Sequence, residues 1–138
     1  GGWELRSERF KGCSTPKHIT TIDNGSDKAL AFEGFMDFLS YLTIKRNDSP
    51  TCNVAVLNSV ANAQRAVPFL ARHRSIYTFL DNDDAGRKAL SEIERLCPRS
   101  EVINQSDFYR RHKDLNDYLR SQQPRKRVVV KPIRGMKL

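Results

Sequence analysis

Apolar and polar positions follow a recurring order along the chain: a short apolar run, a turn, then a longer amphipathic stretch. The order recurs four times between residues 28 and 120, which predicts parallel strands with helices packed over them. Residues 28–33 (KALAFE) read as the first of these strands, closed by Gly34. Residues 35–46 then read as a helix, with Phe35, Phe38, Leu39 and Leu42 returning at helical spacing. Residues 53–59 read as a second strand. Residues 61–73 read as a helix that Pro68 kinks or splits, because proline lacks an N–H and its ring crowds the preceding turn. Residues 75–81 (SIYTFLD) are the most continuous apolar run and are expected at the centre of the sheet. Asp84–Leu96 is the clearest helix, with Ala85, Ala89, Ile93 and Leu96 on one side and Arg87, Ser91, Glu94 and Arg95 on the other; Pro98 ends it. Residues 100–104 give a fourth strand, and residues 115–120, opening after Asp114, a last short helix. Residues 3–22 read as one or two strands around the turn at Lys11-Gly12, added antiparallel at a sheet edge, whereas 127–131 (RVVVK) fit either a strand or a loose tail. The expected fold is therefore α/β, with a mostly parallel four-stranded sheet flanked by helices. The expected organisation is an N-terminal extension (1–27), a body (28–122) and a C-terminal tail (123–138).

At 138 residues and 15.8 kDa the chain holds one core, so one fold must carry the function. It has no apolar run long enough to span a bilayer, which argues against a membrane protein. It begins Gly1-Gly2-Trp3 with no secretory leader pattern, as a piece of a longer protein would. Cys13, Cys52 and Cys97 are widely spaced and include no C-x-x-C pair, so neither a disulfide framework nor a thiolate zinc site is suggested, and a reducing, cytoplasmic setting is expected.

The net charge of +8 becomes informative once located. Residues 124–138 carry Arg125, Lys126, Arg127, Lys131, Arg134 and Lys137 and no acid, whereas residues 21–123 hold fourteen groups of each sign. Arg125, Lys126 and Arg127 are candidate nucleic-acid contacts, since lysine and arginine on phosphate supply most sequence-independent affinity. A merely solubilising tail is the alternative.

In an open α/β sheet chemistry collects beyond the carboxyl ends of the strands. Acids concentrate there: Glu33 and Asp37 after the first strand of the series, Asp81, Asp83 and Asp84 after the third, and Asp114 and Asp117, beside Asn116, after the fourth. Parallel neighbours lie about 4.8 Å apart, so acids at adjacent strand ends come within reach of one cation. Without a cation they repel, so a hard divalent ion with oxygen ligands, magnesium or manganese, fits this set. Asp84 and Asp114 also have a plainer reading as helix caps, but Glu33 precedes its turn and has none. Gly34 and Gly86 mark strand-to-helix turns where the backbone can approach phosphate closely.

The stretches A31-F-E-G-F-M-D37, L80-D-N-D-D-A-G86 and K113-D-L-N-D-Y-L119 resemble, in this order, the acidic motifs of the Toprim superfamily, the third in the form found in primase members. The resemblance covers roughly residues 28–120. It implies a Rossmann-like Toprim fold and, within the superfamily, a DnaG-like primase of a plasmid or other mobile genetic element. It also implies Glu33, Asp81 and Asp83 as catalytic acids and Glu33, Asp37, Asp81, Asp83 and Asp114 as the metal set. Asn116 stands where some primases carry a second acid. The implied reaction is magnesium- or manganese-dependent nucleotidyl transfer, making RNA primers from nucleoside triphosphates on single-stranded DNA, with a replicative helicase as a partner. Lys28, Arg87, Lys88 and Lys113 are candidate phosphate contacts. The chain contains neither a zinc module nor a P-loop motif. The same acids would also serve a metal-dependent nuclease, and a non-catalytic nucleic-acid-binding module is the alternative from another class.

Overall fold

A computed structural model describes residues 19–47 and 49–122. Five strands form one sheet: β1 (Thr20–Ile22), β2 (Lys28–Phe32), β3 (Asn53–Val56), β4 (Ser75–Phe79) and β5 (Glu101–Asn104), in the order β1-β3-β2-β4-β5. β2 to β5 run parallel, and β1 pairs antiparallel with β3 at one edge, so the expected N-terminal antiparallel addition is present through residues 20–22. The earlier part of that expectation, around Lys11-Gly12, lies outside the described residues, as does the tail with Arg125, Lys126 and Arg127.

Helices α1 (Phe35–Lys45), α2 (Ala63–Leu70) and α3 (Asp84–Leu96) make the crossovers, and α4 (Leu115–Gln122) follows β5. The strand period of two splits β2 between two cores. Ala29 and Ala31 face α2 and α3 in a cluster with Ala55, Ala66, Leu70, Ile76, Ala89 and Ile93. Leu30 and Phe32 face α1 and α4 with Phe38, Val54, Phe79, Tyr109 and Leu115. Alanines let two helices lie close on the first face; aromatic rings fill the second, where Phe32 stacks on Phe79 at 4.9 Å between centroids.

Three expectations need correction. The middle strand is β2, not β4: four of the five β2 residues are buried, whereas β4 has only the half-exposed edge strand β5 on its outer side. The long apolar look of β4 comes from Leu80, which extends past the strand into the core. On α3 the buried stripe runs through Gly86, Ala89 and Ile93, and Ala85 points outward, because the helix is rotated to set Gly86 against the chain at Asp81. The predicted helix after β3 begins as a 3-10 turn (Val60–Asn62) and ends at Leu70, two residues after Pro68, whose ring and missing N–H interrupt the i→i−4 hydrogen-bond ladder.

The loop before β2 is held from below. Asn53 Oδ1 accepts the N–H groups of Asn24 (2.6 Å) and Ser26 (3.1 Å), and its amide nitrogen donates to Ser26 O and to buried His73 Nε2 (2.7 Å). His73 Nδ1 lies 3.1 Å from the Leu70 carbonyl, so the buried ring links the end of α2 to the Asn53 amide.

Candidate metal centre

β2 and β4 are adjacent with Phe32 opposite Phe79, so their carboxyl ends open side by side. Glu33 follows Phe32 directly, and its Oε1 accepts the backbone N–H of Asp81 at 2.9 Å, tying the two strand ends together. Gly34 then caps α1 with extended backbone, and Asp37 falls in the first turn, only 6% exposed. An added Cβ at Gly34 would meet Asp37 Oδ2 at an ordinary 3.6 Å, so the expected requirement for an absent side chain holds at Gly86 rather than here. At Gly86 a Cβ would overlap the carbonyl oxygen of Asp81.

The run after β4 divides its labour residue by residue. Asp81 turns toward Asp37. Asn82 donates to three carbonyls, Ser106 (3.3 Å), Tyr109 (3.1 Å) and His112 (3.0 Å), while its own N–H bonds Lys113 O at 2.7 Å. Asp83 caps α3, accepting Gly86 N–H at 2.8 Å. Asp84, read from sequence as the candidate cap, instead lies exposed in the first turn and pairs with Arg87 at 2.8 Å. The loop that Asn82 holds carries Asp114 to the site. Asp114 Oδ1 caps α4 by accepting Asp117 N–H at 2.8 Å, and its carboxylate also reaches the acids beyond β2 and β4. Buried Tyr109 locks the same loop by donating its hydroxyl to Leu80 O at 2.8 Å.

Three separate stretches thereby converge: carboxylate oxygens of Asp37, Asp81 and Asp114 lie within 4.8 Å of one another, the candidate metal cluster found among the described residues. Glu33 and Asp83 flank this triad. Burial is the main cause that raises Asp81 to about 7, with the charges of Glu33, Asp114 and Asp83 adding to it. Burial likewise lifts Asp37 to about 6, against the N–H of Asn116, which donates to Asp37 Oδ1 at 3.1 Å; the Asp114 and Asp81 charges push further upward. Glu33 is raised by burial first, then by Asp83 and Asp37, while the Asp81 N–H opposes. An all-oxygen, mutually repelling, half-buried set suits a hard divalent cation, which would replace repulsion with coordination.

The predicted phosphate contacts separate. Lys113 adjoins the triad, and its charge acts to lower Asp81. Arg87 and Lys88 stand exposed on the first turns of α3. Lys28 opens β2, five residues before Glu33, and so lies at the opposite end of the sheet, roughly 15 Å away at the rise of a strand. Asn116 spends its side chain elsewhere, accepting the Ser40 hydroxyl at 3.1 Å and binding α4 to α1. Asn82 and Tyr109 are positioning residues that sequence reading did not single out for a role. A lone Asn inside an acidic run signals nothing by itself, and only the folded loop shows three carbonyls meeting at one amide.

No curated protein matches this sequence. Among solved structures, the primase fragment of the bacteriophage T7 primase-helicase protein superposes with a TM-score of 0.58 at 21% identity, over 78% of this chain and 46% of that one. This chain therefore spans less than half of that fragment. A bacteriophage T7 lagging-strand polymerase complex that includes primase domains aligns at 22% identity and TM-score 0.49, over 67% of this chain and 50% of the other. The profile of the Toprim-like family matches residues 30–119, which contain every acid of the triad and both of its flanking carboxylates. By that match the chain belongs to the Toprim-like family.

Proposed function

We propose that the chain is the catalytic Toprim domain of a DNA primase. Its acids would hold magnesium or manganese for nucleotidyl transfer that makes RNA primers on single-stranded DNA. The observation that carries this reading is the convergence of Asp37, Asp81 and Asp114 at the ends of β2, β4 and the loop after β5. The fold likeness to the T7 fragment supports the choice of primase. Asp37, Asp81 and Asp114 would bind the ion, with Asp83 and Glu33 completing the negative field around it. Bound there, the ion would neutralise triphosphate charge and lower the pKa of the attacking 3′-hydroxyl. Glu33 aligns Asp81 through its bond to the backbone, and it would serve either as a metal ligand or as a general acid or base. Lys113, Arg87 and Lys88 would receive phosphates. A helicase partner and a mobile-element source belong to the same proposal: the T7 neighbour is a piece of a primase-helicase. Residues 28–122 would be the catalytic unit, preceded by the extension and followed by the basic tail.

The experiment is primer synthesis by the parent protein on single-stranded DNA with nucleoside triphosphates and magnesium. Activity should fall by at least about a hundredfold in Asp81→Asn and Asp37→Asn, with circular dichroism unchanged. Wild-type levels of priming in both variants would refute the proposal. Cleavage of DNA without nucleoside triphosphates, lost in the same variants, would replace it with the nuclease reading.

A further inference from the structure

The two faces of the sheet are not equally covered. α2 and α3 lie over one face, whereas α1 and the short α4 share the other, with Leu115 of α4 packed near the acidic end. On that second face Leu30 stands opposite Tyr77 and Phe32 opposite Phe79, and along this row an open groove of about 360 Å³ runs from Lys28 at the amino end of β2 to Phe79 and Leu115. Tyr41, Tyr77 and Phe108 form its aromatic walls, Lys28 and Lys45 its basic rim, and Gln105 brings an amide. Phe108 is 56% exposed although its ring contacts Tyr118 at 5.0 Å. The Lys45 ammonium lies 5.8 Å from the centre of the Tyr41 ring, and among the described residues neither lysine is in an ion pair.

We propose that this groove binds single-stranded nucleic acid, stacking a base against Phe108 and the tyrosines and setting the adjoining phosphates on Lys28 and Lys45. Flat exposed rings beside lysines are the elements of sequence-tolerant strand binding, where each stacked base supplies attraction through its π-face and each phosphate through charge. Residues 124–138 carry six basic groups and no acid, and residues 1–20 carry four basic groups against two acids, so both share the sign of the rim. An anionic occupant is complementary to it. None of the triad acids lines the groove, but Phe79 and Leu115 at one end of it lie two residues before Asp81 and next to Asp114, so the inference adds a strand track beside the catalytic reading and is tested separately from it.

The test is fluorescence anisotropy of a labelled oligothymidylate with the full chain in EDTA, which removes any contribution from a metal-loaded triad. Phe108→Ala should weaken binding about five- to a hundredfold, and Phe108→Trp should restore it. The Lys28→Glu, Lys45→Glu double variant should lower the slope of log affinity against log salt by about 0.7 for each phosphate it no longer neutralises. Arg65→Glu, exposed on α2 of the opposite face, should leave affinity within about twofold. With bromodeoxyuridine in the oligonucleotide, ultraviolet cross-links should map to Phe108, Tyr77 or Tyr41. Cross-links confined to residues 123–138, or an affinity unchanged in Phe108→Ala and in the lysine variant, would overturn the proposal. So would a change in self-association in Phe108→Ala without a change in DNA affinity, since it would mark the groove as an interface between copies. A negative result with priming intact would remove the groove and leave the triad standing.

Discussion

Replacing Asp81 with Asn removes one of the mutually repelling charges while keeping the shape of the side chain. In the fold Asp81 titrates near 7 rather than at its ordinary 3.8, chiefly because it is desolvated and surrounded by Glu33, Asp114 and Asp83. Three pKa units correspond to about 4 kcal/mol, and solvent access to this half-exposed group reduces that to about 2 kcal/mol. The sign follows from where each state loses its proton. Below the unfolded value both states are protonated and the charge adds nothing. As pH rises the unfolded chain ionises first, while the folded chain holds its proton until about 7. Folding therefore becomes less favourable across that window, and the full cost is present only above it. Asp81→Asn should accordingly stabilise the metal-free protein by about 1–2 kcal/mol near pH 8 and by about nothing near pH 4. For a domain of this size the gain corresponds to a melting temperature higher by roughly 5–10 °C. Urea denaturation of both proteins in EDTA at the two pH values measures it, and the difference between them cancels titrations they share. A loss of stability at pH 8, or the same difference at both pH values, would refute the repulsion argument. Adding magnesium at pH 8 should reverse the order, because only the wild type keeps its ligand set.

Three further outcomes are expected. Asn82→Ala leaves three loop carbonyls without their shared donor and frees Asp114, so manganese affinity should drop at least about tenfold and stability by about 2 kcal/mol; calorimetric titration and urea melts read both. Gly86→Ala forces a methyl into the Asp81 carbonyl and should cost about 3 kcal/mol or more, whereas Gly34→Ala, with only an ordinary contact to Asp37, should cost under about 1 kcal/mol, a contrast readable by thermal melts. Replacing Arg125, Lys126 and Arg127 by Ala should lower the salt slope of single-stranded DNA binding by about 2, and an unchanged slope would remove the tail from the interface.

The location of the acids was legible in the sequence because parallel sheets put their chemistry past the strand ends, and the spacing of apolar runs located those ends. α3 was readable to the residue, since Asp83 and Asp84 open it and Pro98 follows it. What escaped sequence reading depends on rotation and on distant contacts. Neighbouring Asp83 and Asp84 look alike as caps, and only the turn of the helix gives the role to Asp83. The 3-10 turn Ser106–Tyr109 has no periodic signature, yet it carries Tyr109, which pins the loop to Leu80. Strand order was misjudged at the centre because two of the five β2 residues are alanines, whose small size reads as weakly apolar although it is what lets α2 and α3 close over the sheet. Lys28 sits beside the acidic motif in sequence, but a strand of five residues carries it to the other end of the sheet.

The most direct test of the triad is a manganese titration of the full chain followed by electron paramagnetic resonance, near pH 8, on the wild type and on Asp37→Asn, Asp81→Asn and Asp114→Asn. Saturable binding in the wild type, weakened at least about tenfold in each variant, is the expected result. No saturable binding, or equal binding in all four proteins, would contradict a shared cation at these three carboxylates.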